Sequence, residues 1–214
     1  MLSASAKTVA RLSLYRRILT DCAARGVRSI YSHELAQTLQ ITATQVRRGL
    51  MVVGFSGSPN KGYDVEALLG SISTVLDRAG GEQVALVGVG NLGRAILSYF
   101  QGRYANLNVA AAFDQDPALH GRLIHGLTIQ PMTKLSEVVA ANGIYTAILT
   151  VPASEAQRVV EELIRAGIRG ILNFAPLTLR VPEHIYIRTV DIAMKLETVA
   201  FFARQDAARE VYEA

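Results

Sequence analysis

The chain has 214 residues, of which half are hydrophobic, so it can bury either one large core or two small ones. Its single cysteine, Cys22, rules out an internal disulfide framework and fits a reducing cytoplasm. No apolar run approaches the roughly 18 residues that a membrane span needs.

Positive charge is concentrated at the amino end of the chain. Residues 1–64 carry nine Lys or Arg against three Asp or Glu, whereas residues 65–214 carry thirteen against fifteen. The first part is therefore net +6 and the second net −2. This asymmetry indicates that the amino-terminal part binds a polyanion. We interpret the basic first twenty residues as a tail leading into a helix, in preference to a transit peptide.

Three helices are predicted in the amino-terminal third. Apolar residues recur at helical spacing over residues 8–25, and Gly26 ends the run. Ser32 can cap a second helix over residues 33–39. After a tight break, the pattern predicts a third helix over residues 42–53.

The third helix begins with a capping box, in which the Thr42 hydroxyl and the Gln45 side chain satisfy free backbone N–H groups reciprocally. A short turn before a helix that bears Gln and paired Arg is typical of helix-turn-helix proteins, which lay that helix in the DNA major groove. An ordinary solvated face is the alternative for the arginines, and the charge asymmetry favours DNA. The predicted DNA-binding residues are Thr44, Gln45, Arg47, Arg48, Lys61 and Tyr63.

A turn-forming stretch follows the third helix. Residues 54–63 are rich in Gly and Ser, which predicts the β-ribbon of a winged-helix domain. Lys61 would lie at its tip, within reach of a phosphate or the minor groove. A further helix is predicted over residues 65–79, and the Gly80-Gly81 pair marks the end of a DNA-binding domain, residues 1–80.

The most informative stretch comes next. An apolar strand over residues 83–87 leads into G-x-G-x-x-G at 88–93, a helix, and a second strand that ends at Asp114. In this motif one glycine permits a tight turn, the next lets the backbone approach a pyrophosphate, and the third lets helix and strand pack closely. A glycine-rich turn that binds nothing is the alternative. The order of strand, helix, strand and acid favours a bound dinucleotide or related adenine nucleotide.

An acid at the tip of the second strand accepts hydrogen bonds from both ribose hydroxyls and repels a 2′-phosphate, which favours NAD over NADP. The predicted nucleotide contacts from this stretch are Gly88, Val89, Gly90, Asn91, Leu92, Gly93 and Asp114.

The α/β alternation continues toward the carboxyl end. Helices are predicted over 133–141 and 154–166, and strands over 127–129, 145–151, 170–174 and 184–190. Loops at the carboxyl ends of parallel strands face the ligand crevice of a doubly wound sheet. Two such loops add Thr150, Val151, Pro152, Asn173, Phe174, Ala175 and Pro176 to the predicted site.

The last segment, residues 191–214, is predicted as a helix with much apolar surface, so we expect it to pack on a second subunit. The predicted fold class is therefore α/β. A winged helix-turn-helix domain precedes a Rossmann-like doubly wound parallel sheet over residues 81–190, and a dimerisation helix ends the chain.

At the predicted nicotinamide end we find no histidine, no Tyr-x-x-x-Lys pair and no obvious proton donor for hydride transfer. Metal-ligand spacing of Cys and His is absent as well. A redox nucleotide without the means to use it favours a sensor over an enzyme. An NAD-dependent oxidoreductase and a CoA-binding or nucleotide-binding regulatory domain stay open as alternatives.

Read as a whole, the chain resembles the Rex family of redox-sensing bacterial transcriptional repressors. The resemblance covers essentially the full length, and several matches in the right order make it specific. The matching stretches are Thr42 with Gln45-Val46-Arg47-Arg48, Gly62-Tyr63, the glycine turn, Phe113-Asp114 with Asp116-Pro117, Leu149-Thr150-Val151-Pro152, Gly170 to Pro176, and Val190-Asp191.

The resemblance implies a homodimer that exchanges its C-terminal helix and binds palindromic double-stranded operator DNA in the apo or NAD+ state. It further implies that NADH releases the DNA. Tyr99 is expected to engage Asp191 in the NADH state, and Arg17 to pair with Asp191 in the DNA-competent state. The nicotinamide would lie in an apolar pocket of the loops above with Ile192 of the partner subunit, which disfavours the cationic ring of NAD+.

The chain departs from the family pattern at several positions. The recognition helix of the family continues Arg-Lys-Asp, whereas this chain reads Arg47-Arg48-Gly49. Glycine inside a helix costs about 1 kcal/mol relative to alanine, so we expect a softer helix here. The other departures are Val52-Val53 for an aromatic pair, Pro59 for a wing arginine and Ile192 for an aromatic residue. We expect them to affect operator preference, DNA affinity and discrimination between NADH and NAD+.

Overall fold

The computed structural model describes residues 5–55, 61–104 and 106–213, with side chains described as far as residue 205. The chain forms two compact units, Met1–Ala79 and Gly80–Ala214.

Unit 1 consists of helices packed around one apolar core, with a small antiparallel sheet at the side. Its elements are α1 (Ala6–Ala24), β1 (Ser29–Ile30), α2 (Ser32–Leu39), α3 (Ala43–Met51), β2 (Tyr63–Asp64) and α4 (Val65–Leu76). Strand β2 pairs with β1, so the chain that returns from the predicted wing is anchored beside α2. The wing itself falls mostly on residues 56–60, which lie outside the described residues.

The helix boundaries in unit 1 follow local hydrogen bonding. The predicted capping box of α3 is confirmed, because the Gln45 N–H donates to the Thr42 hydroxyl (3.2 Å) and the Thr42 N–H to the Gln45 Oε1 (3.0 Å). The cap of α2 is a correction: Tyr31, not Ser32, is the N-cap residue, and its N–H donates to Glu34 Oε2 at 2.6 Å. Helices α3 and α4 also end two and three residues earlier than expected.

Unit 2 is built on a seven-stranded sheet. Its strands are β3 (Glu82–Val87), β4 (Leu107–Asp114), β5 (Leu123–Ile124), β6 (Leu127–Pro131), β7 (Thr146–Leu149), β8 (Gly170–Asn173) and β9 (Tyr186–Thr189). They lie in the order β5-β6-β4-β3-β7-β8-β9, and every pairing is parallel except that of β5 with β6. The six parallel strands thus follow the doubly wound 3-2-1-4-5-6 order, with its switch point between β3 and β7.

Helices cover both faces of this sheet, as the alternation within β3 requires. The helices of unit 2 are α5 (Asn91–Phe100), α6 (Leu135–Ala141), α7 (Ala153–Arg165) and α8 (Ile192–Glu213). Val84 and Leu86 pack with α5 on one face, and Ala85 and Val87 pack toward α6 and α7 on the other. Strand β6 was predicted over residues 127–129, whereas its hairpin partner β5 was not, because β5 is only two residues long.

Candidate nucleotide site and nucleic-acid interface

The glycine turn between β3 and α5 has three glycines with three separate physical roles. Gly88 adopts φ +96°, and a Cβ there would lie 2.7 Å from the Thr150 carbonyl oxygen. A Cβ on Gly93 would collide with the Gly88 carbonyl oxygen, so helix and strand pack at this closeness only around glycine. A Cβ on Gly90 would meet no atom within 4 Å, so the space beside this residue is open to a ligand. The cradle therefore fits a pyrophosphate passing the start of α5.

Asp114, at the carboxyl end of β4, reaches across to this turn. Its two carboxylate oxygens accept from the Val89 N–H at 2.6 Å and from the Asp116 N–H at 2.9 Å. An ionised carboxylate has about four acceptor positions, so two remain for ribose hydroxyls. Arg94 holds the other side of the same peptide segment, since its Nε donates to the Val89 carbonyl oxygen at 3.0 Å. Hydrogen bonds within the protein thus fix the turn and its acid.

Thr150 links the ends of β3 and β7 by hydrogen bonds at the switch point of the sheet. Its hydroxyl donates to the Gly88 carbonyl oxygen at 2.6 Å, and its N–H donates to the Val87 carbonyl oxygen at 2.9 Å. A cavity of about 490 Å³ opens here at the carboxyl ends of β3, β4 and β7. Such a volume lies within the range of small-molecule and cofactor sites. The lining residues are Val87, Gly88, Gly90, Asn91, Leu92, Asp114, Gln115, Asp116, Met132, Thr150, Val151, Pro152 and Val159.

Eight of the residues predicted as nucleotide contacts therefore line one cavity: Gly88, Gly90, Asn91, Leu92, Asp114, Thr150, Val151 and Pro152. Val89 is buried and contributes its N–H to Asp114, and Gly93 lies behind the turn. Of the lining residues that we did not predict, Met132 follows the carboxyl end of β6, so the strand-end rule could have found it. Asp116 could have been found as the residue that caps an Asp-Pro turn, where its carboxylate accepts from the Ala118 N–H at 2.9 Å.

The loop after β8 is organised around a buried side chain. The Asn173 side chain is fully buried, and its amide donates to the carbonyl oxygens of Ala175 (3.0 Å) and Leu177 (3.3 Å) and accepts from the Ala175 N–H (2.8 Å). This side chain fixes the loop from within, and the contact of Asn173 with a nucleotide stays a prediction. Phe174, Ala175, Pro176 and Ile192 do not line the cavity of the single chain, and their contact with a nicotinamide stays a prediction.

The three residues predicted to couple the two functions lie on separate elements. The half-exposed Tyr99 on α5 shares a 2.7 Å hydrogen bond with the Tyr104 hydroxyl, and the Arg103 guanidinium lies 5.1 Å from its ring centroid. Asp191 caps α8 by accepting from the Met194 N–H at 2.9 Å. Arg17 is exposed on α1, while its neighbour Arg16 forms an ion pair with Asp77. The exchange of partners by Asp191 stays a prediction.

In unit 1, helix α3 presents one polar face to solvent. Thr44, Gln45, Arg47 and Arg48 are exposed, whereas Val46, Gly49 and Leu50 are buried. The Arg47 guanidinium is held in place by two hydrogen bonds. It donates to the Ser32 hydroxyl at 3.3 Å and to the Thr44 hydroxyl at 3.2 Å. Both acceptors are neutral, so within the described part of the chain they orient this cation without compensating its charge, as suits a contact to a base edge or phosphate. Ser32 was missed because its partner is fifteen residues away.

Two other predicted DNA contacts differ from each other. Lys61 is exposed just before β2. The pairing of β2 with β1 turns the Tyr63 side chain inward and leaves Asp64 outward, and the contact of Tyr63 with DNA stays a prediction. Only 6% of Tyr63 is exposed, and burial raises its pKa above the ordinary value, with the positive charge of Arg47 opposing the rise. Tyr63 therefore belongs to the core of unit 1 and supports α3 from within.

Helix α8 leaves apolar side chains in solvent. Six large ones are more than half exposed: Ile192, Met194, Leu196, Val199, Phe201 and Phe202. So large an apolar surface on a single chain marks a protein contact. Among the residues that the structure describes, no helix is long and apolar enough to cross a membrane. Within the same residues, no three His, Cys, Asp or Glu side chains are grouped so that they could hold a metal ion.

Comparison with family models divides the chain as its architecture does. The model described as "CoA binding domain" matches residues 81–177, and the model described as "Putative DNA-binding protein N-terminus" matches residues 4–50.

Curated relatives match nearly the whole chain. The redox-sensing transcriptional repressor Rex of Chloroflexus aurantiacus is 40% identical over 92% of this chain and 93% of its own length. Rex of Leuconostoc citreum is 40% identical over 91% of this chain and 90% of its own length. Rex of Streptomyces avermitilis is 37% identical over 95% of this chain and 81% of its own length.

Solved structures agree. The Rex-family repressor RSP in complex with NAD+ and operator DNA matches with a TM-score of 0.87 and 30% identity, over 98% of this chain and 97% of that chain. RSP in complex with NADH matches with a TM-score of 0.84 and 30% identity, over 98% of this chain and 99% of that chain.

Proposed function

The chain belongs to the Rex family of redox-sensing transcriptional repressors, and on that premise we propose that it represses transcription under the control of the NADH/NAD+ ratio. It binds palindromic operator DNA as a homodimer when apo or NAD+-bound, and NADH releases it. The observation that carries this proposal is the combination, in one chain, of a preformed dinucleotide cradle with a basic recognition helix whose arginine is oriented but not neutralised. As a repressor it would act in the cytoplasm, where the bacterial chromosome lies.

The nucleotide half of the proposal rests on the glycine turn and its acid. The open space beside Gly90 takes the pyrophosphate at the start of α5, and the Asp114 carboxylate takes the ribose hydroxyls. Leu92, Val151 and Pro152 contribute apolar surface to the same cavity. Apolar surface disfavours the cationic nicotinamide of NAD+ relative to the neutral ring of NADH, so NADH is expected to bind more tightly.

The DNA half rests on α3. Arg47 and Arg48 meet base edges or phosphates in the major groove, and Lys61 meets the backbone from the wing. A dimer places two such helices on half-sites one helical turn apart or a multiple of it. The exposed apolar face of α8 is the surface that joins the two copies. A ligand shifts the dimer between states only by its differential affinity, and couplings of this kind are typically about 1–3 kcal/mol.

Fluorescence anisotropy tests the proposal directly. The dimer is titrated into a labelled palindromic duplex at fixed salt, alone, with NAD+ and with NADH. We expect tight binding in the first two conditions and release by NADH, together with a steep loss of affinity as salt rises. Unchanged binding under saturating NADH would contradict the release mechanism. Absence of binding to any duplex would contradict the function as a whole.

An NAD-dependent oxidoreductase shares the cradle but needs a proton donor at the nicotinamide. The titratable residues that line the cavity are Asp114 and Asp116, and both carboxylates accept backbone N–H groups. We therefore propose that the protein does not turn over NADH, which a steady-state absorbance assay with candidate carbonyl compounds would check. The match to a CoA-binding model is tested by calorimetry with CoA, ATP and NADH, among which we expect NADH alone to bind tightly.

A further inference from the structure

Two unfavourable features of unit 1 meet at one contact. Gly49 lies in the last turn of α3, and glycine is a poorer helix former than alanine. Tyr15 of α1 is fully buried. Among the described residues its hydroxyl makes no hydrogen bond of good geometry, although the Arg11 guanidinium is near enough to oppose the rise in its pKa that burial causes. A buried hydroxyl without a good hydrogen bond destabilises a fold. These two residues are in contact with each other.

The contact is a close one. A Cβ built on Gly49 would lie 3.2 Å from the Tyr15 hydroxyl oxygen and 3.3 Å from its ring carbon Cε2. Both distances are shorter than ordinary van der Waals separation. Leu12, Leu19 and Leu50 of the same core are themselves fully buried, so we expect the ring to have little room to retreat. Glycine at position 49 therefore gives the tyrosine ring the space that any other side chain would occupy.

The position of this contact on α3 gives it a functional consequence. Gly49 is on the buried side of the helix, while Arg47 and Arg48 are on the exposed side. The ring of Tyr15 thus supports the recognition helix from behind. We propose that Tyr15 and Gly49 form a seat that fixes the distance of α3 from α1, and that Tyr15 is a positioning residue for operator binding. This inference rests on the proposed function.

The chain offers a matched control for the test. Gly70 is an exposed glycine within α4, and a Cβ there would meet no atom within 4 Å. Gly70→Ala should raise the melting temperature of the full-length dimer, since alanine favours a helix, and should leave operator binding as in wild type. Gly49→Ala makes the same chemical change at the seat. It should lower operator affinity about tenfold, the loss expected from weakening one good base contact, while NADH affinity stays unchanged.

A double substitution separates positioning from general destabilisation. In a Tyr15→Leu background the ring is absent, so adding Gly49→Ala should change operator affinity by less than about twofold, the non-additivity expected of residues in contact. Should Tyr15→Leu fail to fold, Tyr15→Phe takes its place. It removes the nearer of the two contacts and should reduce the effect of Gly49→Ala.

Amide hydrogen exchange of α3 in the DNA-free dimer gives a readout that needs no operator. Exchange within α3 should be faster in Gly49→Ala than in wild type and unchanged in Gly70→Ala. If Gly49→Ala instead behaves as Gly70→Ala does in melting temperature, operator affinity and exchange, the seat does not exist. If wild type binds no duplex at all, the proposed function fails, and the exchange comparison still decides the seat.

Discussion

Replacing Asp114 with asparagine removes the charge of this side chain and keeps its shape. In wild type the two carboxylate oxygens accept the N–H groups of Val89 and Asp116 at 2.6 and 2.9 Å. Asparagine offers one oxygen and one NH₂ group, so one of these backbone donors would face another donor. The ribose hydroxyls would meet a neutral amide in place of a carboxylate. Asp114→Asn should therefore weaken NADH binding through both the turn and the ribose.

The size of the effect follows from the kind of bond that is lost. A hydrogen bond to a charged group contributes about 1.5–3 kcal/mol, and each 1.4 kcal/mol is a factor of ten in affinity. Loss of one such bond should raise the Kd for NADH by roughly 10- to 150-fold. The affinity for NADPH should fall less than that for NADH, because the carboxylate that repels the 2′-phosphate of NADPH is absent from the variant. The preference for NADH over NADPH should narrow accordingly.

Isothermal titration calorimetry of both nucleotides against wild type and Asp114→Asn measures these changes. Asp64→Asn is the control, because it removes the same charge from unit 1 and keeps the cap that Asp64 provides to the Ala67 N–H at 2.8 Å. Asparagine caps helices as well as aspartate does. If Asp114→Asn binds NADH as tightly as wild type, or if the ratio of the two affinities is unchanged, the assignment of the ribose to Asp114 is refuted.

Four further outcomes are expected. Gly93→Ala places a methyl group against the Gly88 carbonyl oxygen, so it should lower the free energy of unfolding by about 1–3 kcal/mol and weaken NADH binding, as thermal unfolding and calorimetry would report. Ser32→Ala removes one hydroxyl that orients Arg47 and should weaken operator binding about fivefold in anisotropy titrations. Burial raises the pKa of Tyr15, so the stability that its protonated hydroxyl gives the folded state is complete below the ordinary pKa of 10.0 and is lost as pH rises through the folded-state pKa. Tyr15→Phe should therefore lose less thermal stability at alkaline pH than wild type does. Phe201→Glu should shift the dimer toward monomer in sedimentation velocity, because it puts a charge on the apolar face of α8.

For each of these four predictions, one result would contradict the reasoning behind it. A Gly93→Ala protein with wild-type stability would mean that helix α5 need not pack so closely. Ser32→Ala should have no effect in an Arg47→Ala background, and a separate loss there would mean that Ser32 acts on its own. Equal alkaline stability of Tyr15→Phe and wild type would exclude Tyr15 as the titrating group. A fully dimeric Phe201→Glu protein would place the interface elsewhere.

Local patterns were sufficient for most of the elements. The capping box of α3 lies within four residues, so the sequence alone locates the start of that helix. The glycine spacing and the acid after the second strand likewise placed the nucleotide cradle, since each glycine answers a steric need of the β–α turn. The apolar surface of α8 could also be predicted, because it follows from the residue types in that segment alone.

Contacts between distant residues could not be predicted in this way. The inward turn of Tyr63 depends on the register of β2 against β1, some thirty residues away, and a shift by one residue would have exposed it. The burial of Asn173 depends on how the following loop folds back over its amide. The hydrogen bond from Arg47 to Ser32 joins two helices, and no local sequence pattern predicts it.

The sequence by itself thus determined which segments form helices and strands, where the dinucleotide turn lies and which third of the chain is basic, because each depends on residues close together in the chain. Only the tertiary structure decided which side chains face the cavity, which support α3 from the core, and that Gly49 makes room for Tyr15. Those outcomes depend on packing between elements, where a difference of a few tenths of an ångström decides whether a side chain fits.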